Sequence, residues 1–193
     1  ALKPKSNAIS PNPKPTRKLS QVRMEKSSGE LRAIIAKLVQ PLQDMRFVGQ
    51  RVELCKQALM LLERQDNKKL WAALQVELGN NLVQNPQGDR ADNLEQAIVA
   101  FQQALQVMTR ATMPVYWAQS MNNQAIAYLN RIRGDHADNI EQAIDAFQQA
   151  LQVRTRAAMP VEWALSMNNL ASAYSERIRG DRADNIEQAI DAF

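Results

Sequence analysis

The stretch WAQSMNNQAIAY at 117–128 returns 46 residues later as WALSMNNLASAY at 163–174. The same interval separates Trp71 from Trp117, and it relates Gly88, Gly134 and Gly180 as well as Phe101, Phe147 and Phe193. Segments 88–133 and 134–179 align without a gap and agree at 35 of 46 positions. Segment 180–193 repeats 134–147 with one change, Arg182 standing for His136. Further upstream, Cys55 to Leu59 aligns with Phe101 to Leu105, and Gly79 with Ala125, so an older and more diverged copy precedes the clear ones. Eight of the 10 aromatic residues fall on this register, so the aromatics serve the repeat. A period in this range marks units that cannot bury their apolar faces alone and must stack.

Each unit reads as two helices. Leu94, Ala97, Ile98, Phe101, Ala104, Leu105 and Met108 recur at steps of three and four, leaving one apolar stripe. Asp92 is expected as the N-cap with Glu95 completing a capping box, and Asp138 with Glu141 repeats them. Arg110, with Arg154 and Arg156 in the next copy, is expected to close the helix where a cation suits its dipole. The partner helix opens at Pro114, whose missing N–H costs nothing in a first turn. Its stripe is Trp117, Met121, Ala125, Tyr128 and Ile132, with Arg131 and Arg133 in its last turn. No segment alternates with period two, so the fold class is all-α, an α-solenoid of antiparallel helix pairs.

The run Asn168-Asn169-Leu170-Ala171-Ser172-Ala173-Tyr174 followed by Glu187 to Phe193, and the copy Asn122 to Tyr128 followed by Glu141 to Leu151, resemble the tetratricopeptide repeat (TPR). In that family a small residue and an aromatic one turn apart lock paired helices, and Ala125 with Tyr128, and Ala143 with Phe147 and Ala150, fit those places. The units here are 46 residues rather than the family's usual 34, the excess falling in the two connections; HEAT and armadillo repeats, of similar period, remain as alternatives. The wording Gly-Asp-Arg-Ala-Asp-Asn and Trp-Ala-x-Ser-Met-Asn-Asn is similar to multi-repeat bacterial proteins of the cyanobacterial type, whose arrays often precede a caspase-like CHAT protease domain. That likeness implies an array belonging to a larger protein; the tetratricopeptide resemblance covers roughly residues 45–193.

Composition narrows the remaining function classes. The chain has 193 residues, 45% hydrophobic and 23% charged, a balance that folds. The single Cys55 cannot form an internal disulfide, and the single His136 leaves little for metal binding or imidazole catalysis. The net charge of +4 is unevenly placed: residues 1–23 hold six of the 24 basic residues and no acid, so the rest of the chain carries 18 against 20, a net of −2. Nucleic-acid binding is therefore disfavoured for the body. Runs such as Ala58 to Leu62 are too short to span a bilayer, and a cytoplasmic protein is expected. Three segments follow: a basic tail or linker over 1–27 with Pro4, Pro11, Pro13 and Pro15, N-terminal helices with the diverged copy over 28–87, and the near-identical repeats over 88–193. The tail reads as a solvated linker, with a polybasic contact or a targeting presequence as the other options. Ordered structure is expected from about Ser28, where Leu31, Ile34, Ile35 and Leu38 hold helical spacing up to Pro41.

The candidate site comes from comparing copies. On the second helix, positions at which they differ include Tyr116/Glu162, Gln119/Leu165, Ile126/Ser172 and Asn130/Glu176. At about 100° per residue these fall within a sector of roughly 80°, opposite the Trp117 stripe, and Asn123 and Asn169 lie inside it. The TPR resemblance implies that this face lines a concave groove in which the two asparagines hold a peptide backbone, an amide being both donor and acceptor. Drift after duplication accounts for the variability equally well. The expected partner is thus a protein or peptide, with no catalytic residue, metal or cofactor, and with self-association through the uncovered Ile190 and Phe193 face as the alternative. The tryptophans and Cys55 read as core, and His136, replaced by Arg90 and Arg182 in the sister copies, as a loop residue. Arg133-Gly134-Asp135 and Arg179-Gly180-Asp181 read as a helix end, a stop and a cap approach rather than an adhesion tripeptide. Asp135, Asp138 and Glu141 lack the spacing of an EF-hand.

Overall fold

The computed structural model describes residues 17–42, 44–62 and 66–192. Eight α-helices run through them: α1 (Arg17–Leu38), α2 (Val48–Leu61), α3 (Lys68–Gln84), α4 (Arg90–Leu105), α5 (Pro114–Leu129), α6 (His136–Leu151), α7 (Pro160–Glu176) and α8 (Arg182–Ala192). A single 3-10 turn, Met45–Phe47, precedes α2. No strand occurs among the described residues. The sequence period is written into the helix starts: α3, α5 and α7 open at 68, 114 and 160, and α4, α6 and α8 at 90, 136 and 182.

The proline-rich part of the expected tail, residues 1–16, lies outside the described residues. From Arg17 the chain is already helical, upstream of the Ser28 start expected from apolar spacing. Pro15 is the last proline before Pro41, and Lys, Gln, Arg, Met and Glu dominate 17–26. Such residues favour a helix without an apolar face to announce it. The stop before Pro41 is as expected, α1 ending at Leu38.

The motif Gly-Asp-x-Ala-Asp-Asn explains the entry to α4, α6 and α8. Gly88, Gly134 and Gly180 hold φ of 78°, 82° and 82°, a left-handed conformation that glycine adopts without a Cβ penalty. The cap is the aspartate directly after the glycine and not the expected Asp92 or Asp138. Asp89 accepts from the Asp92 backbone N–H at 2.8 Å, and Asp135 from that of Asp138 at 2.9 Å. The helix therefore starts three residues earlier than the apolar stripe suggests, and Glu95 is released from any capping box. A buried asparagine then ties the turn: Asn93, Asn139 and Asn185 donate Nδ2–H to the carbonyls of Gln87, Arg133 and Arg179 at 2.8, 2.9 and 2.8 Å. His136 and its sister arginines are thereby the first residues of their helices rather than loop residues.

Helix ends are earlier than expected as well. α4 and α6 stop at Leu105 and Leu151, so Arg110, Arg154 and Arg156 lie in the following turns. There Thr155 Oγ1 accepts from Ala158 N–H at 3.2 Å, a local bond that competes with helix continuation. Pro114 and Pro160 then force Met113 and Met159 out of the helical region before α5 and α7 begin. α5 ends at Leu129, which leaves Ile132 62% exposed instead of at the end of the stripe and places Arg131 and Arg133 beyond the helix.

Every helix packs on the next, the α3–α4, α5–α6 and α7–α8 pairs among them, and α3 touches α5 as α5 touches α7. The cores are shared between neighbours. Leu38, Cys55, Ala58, Leu62 and Leu74 join α1, α2 and α3. Val52, Leu82, Ala97, Ile98 and Phe101 meet Ala127 of α5. Ala125, Ala143, Phe147 and Ala150 form one cluster with Leu170 and Tyr174, with Tyr128 against it. Phe101 and Phe147 are fully buried. Enclosing a phenylalanine contributes roughly 1.5–3 kcal/mol, so each ring is a main fastening of its repeat.

Candidate partner-binding face

α3, α5 and α7 open at equivalent positions of the repeat, α5 touches both of the others, and the helix face expected from the copies can be followed on each. On α5 this face carries Tyr116, Gln119, Asn123, Ile126 and Asn130; on α7 it carries Leu165, Asn169, Ser172 and Glu176. None of the nine is buried. Tyr116 and Leu165 are each 60% exposed, while Asn123, Ile126, Asn169 and Ser172 are half-buried along the helix junctions. Across the helices, Met121 and Ala125 are buried as the stripe requires.

Between α3 and α5 the face dips into a cleft of about 360 Å³ lined by Asn80, Val83, Gln84, Phe101, Asn123 and Ile126. Asn123 Nδ2 donates to Asn80 Oδ1 at 2.8 Å, bridging the two helices at its wall. Asn123 Oδ1 meets only the long 3.4 Å approach of Asn122 Nδ2. At the same register on α7, the Asn169 side chain makes no hydrogen bond among the described residues. An extended backbone laid here would meet an open carbonyl acceptor at Asn123 and a whole amide at Asn169.

Comparing only the two clear copies hid the contribution of α3. Its Glu77 occupies the register of Asn123 and Asn169, and Asn80 that of Ile126 and Ser172. Glu77 pairs with Arg51 of α2 at 2.6 Å, and Arg51 also donates to the Leu38 carbonyl at 2.6 Å. Carrying the interval of 46 one step further back finds both residues. Differences between copies are also not confined to this face: Gln124 and Leu170 differ and are buried.

Other residues singled out from the sequence have structural occupations. Arg110 and Arg156 lie over the Trp117 and Trp163 rings, 6.0 and 5.5 Å from the centroids, so the cations expected at helix ends cover half-buried indoles instead. Arg133 pairs with Asp92 and Arg179 with Asp138, each at 2.5 Å, while Asp135 caps α6. Glu141 accepts both arms of Arg177 at 2.8 and 2.9 Å. Among the described residues no group of three or more His, Cys, Asp or Glu side chains is placed to hold a metal ion. Cys55 is fully buried, and desolvation pushes its thiol up to about 12, so it is not ionised at neutral pH. No described helix is long and apolar enough to cross a membrane. No model of a known protein family matches the chain, and no curated protein matches it.

Proposed function

We propose that this chain is a non-catalytic, TPR-like α-solenoid scaffold that binds a peptide or protein segment along the α3–α5–α7 face. The supporting observation is the unburied set from Tyr116 to Glu176 on the touching helices α5 and α7, with a cleft beside Asn123 and Ile126 toward α3 and amide groups at repeat-spaced intervals. Affinity comes from Asn123 and Asn169 to the ligand backbone and from apolar contact at Tyr116, Ile126 and Leu165. Shared hydrogen bonds to main chain make such a site tolerant of sequence, with side-chain fit supplying choice. Peptides selected from a random display library on the wild-type chain test this by calorimetry. Asn123→Ala with Asn169→Ala should weaken the selected peptides at least tenfold, about 1.4 kcal/mol, with helicity unchanged. Undiminished affinity in the double variant counts against the groove.

A second reading, structural assembly, has its own observation. Ile186 and Ile190 on α8 are 42% and 66% exposed, whereas Ile140 and Ile144 at the same register on α6 are 0% and 5% exposed beneath the following helix. A helix of the same repeat type fits over them, either from further repeats or from a second copy of the chain. Light scattering across concentrations distinguishes the two: a constant monomer mass removes the second copy.

A further inference from the structure

Arg154, in the turn after α6, is 7% exposed. Its Nη1 donates to Ser166 Oγ on α7 at 2.9 Å, and that hydroxyl donates to Asn122 Oδ1 on α5 at 2.9 Å. The guanidinium is thus lodged where α5 and α7 converge. Its Nε is buried with no hydrogen-bond partner. Among the described residues no carboxylate pairs with it; Glu162, one turn before Ser166, acts on it only as a more distant charge. Desolvation presses the group below its ordinary range, yet an arginine stays charged at any physiological pH. A buried cation without a counter-ion is costly, and a carboxylate brought to it would recover that cost through charge-assisted bonds.

The sister copy shows where this position lies. Met108 stands 46 residues earlier, with Ser120 Oγ 3.7 Å from its sulfur. Met108 and Ser120, with Tyr116, Gln119, Glu77 and Asn80, line a cleft of about 180 Å³ between α3 and α5. One repeat therefore puts a thioether at this position beside a cleft, and the next puts a nearly buried cation whose Nε has no partner.

We propose that Arg154 anchors an anion subsite between α5 and α7 that takes the carboxylate of an acidic side chain on the bound peptide. The inference rests on the groove reading, because the ligand must lie along that face for a side chain to reach Arg154. It makes the array chemically graded: an apolar place opposite Met108, an acidic one opposite Arg154.

Hexaglutamate and hexaglutamine, each fluorescently tagged, are the probes, titrated at low ionic strength. Arg154→Met copies the sister repeat, so its fold is checked by helicity and thermal unfolding and should be retained. The wild-type chain should prefer hexaglutamate, Arg154→Met should weaken it at least tenfold, and Glu162→Gln should tighten it by removing the nearby carboxylate. Equal concentrations of inorganic phosphate should not displace the peptide. Equal hexaglutamate affinity in Arg154→Met overturns the proposal, as does absence of a preference for hexaglutamate or displacement by phosphate alone. Loss of library-selected peptides in the Asn123/Asn169 double variant alongside unchanged hexaglutamate affinity in Arg154→Met leaves the groove standing and removes this subsite alone.

Discussion

Arg131 forks onto Glu95 across the α4–α5 junction, Nε to Oε1 at 2.7 Å and Nη2 to Oε2 at 2.8 Å. The same fork recurs one repeat later between Arg177 and Glu141. Both partners of the first pair are about three-quarters withdrawn from solvent. Hydrogen bonding from Arg131 is the main force holding the Glu95 carboxyl below its ordinary value of 4.5, with burial acting against it. A carboxyl depressed in the folded chain contributes stability that is fully present above its unfolded value and is lost as pH falls through the folded one. Glu95→Gln should therefore cost about 1 kcal/mol at pH 7 and nothing once the pH has fallen below the folded carboxyl's depressed value. Urea unfolding of both chains at stepped pH reads this directly, and a pH-independent difference contradicts it.

Phe147 is fully buried at the centre of the cluster that joins α5, α6 and α7. Phe147→Ala should destabilise the chain by roughly 3–5 kcal/mol, because transfer and cavity terms add. Chemical denaturation checks it, with circular dichroism and tryptophan fluorescence compared, since neighbouring repeats can separate in unfolding. A loss under 1 kcal/mol would mean that the neighbouring helices close over the cavity.

Gly79 faces the ring of Phe101 so closely that an added Cβ would stand 2.7 Å from Cε1 and Cζ. The later copies carry Ala125 and Ala171 at this register. Gly79→Ala gains helix propensity of about 1 kcal/mol, but a fully buried ring cannot step aside without moving α4. The overpacking should prevail, with a net loss of about 1–2 kcal/mol. A raised melting temperature would show that the α3–α4 pair can open to the spacing of the later repeats.

Apolar periodicity and the 46-residue interval made the helix pairs legible, down to Pro114 and Pro160 opening α5 and α7. Helix termini were less so, because the forces that set them are polar and local. Asp89 rather than Asp92 caps α4, since the positive φ of Gly88 determines where the chain can turn in. The face opposite the Trp117 stripe was legible in the same way, by angle. What angle cannot show is pairing: that Asn123 is already tied to Asn80, or that Arg154 points inward to Ser166 when its neighbour Arg156 covers a tryptophan. Met108 and Arg154 differ between the copies, and in sequence Arg154 has the form of an ordinary helix-end cation; its burial is visible only in three dimensions.

Site-directed photo-crosslinking tests the occupied face most directly. A benzophenone amino acid placed at Leu165 on α7, or at exposed Val99 on α4 as control, is irradiated with a library-selected peptide. The groove account predicts peptide adducts from Leu165 and none from Val99. Adducts from Val99 with none from Leu165 would place the ligand away from the α3–α5–α7 face and contradict it.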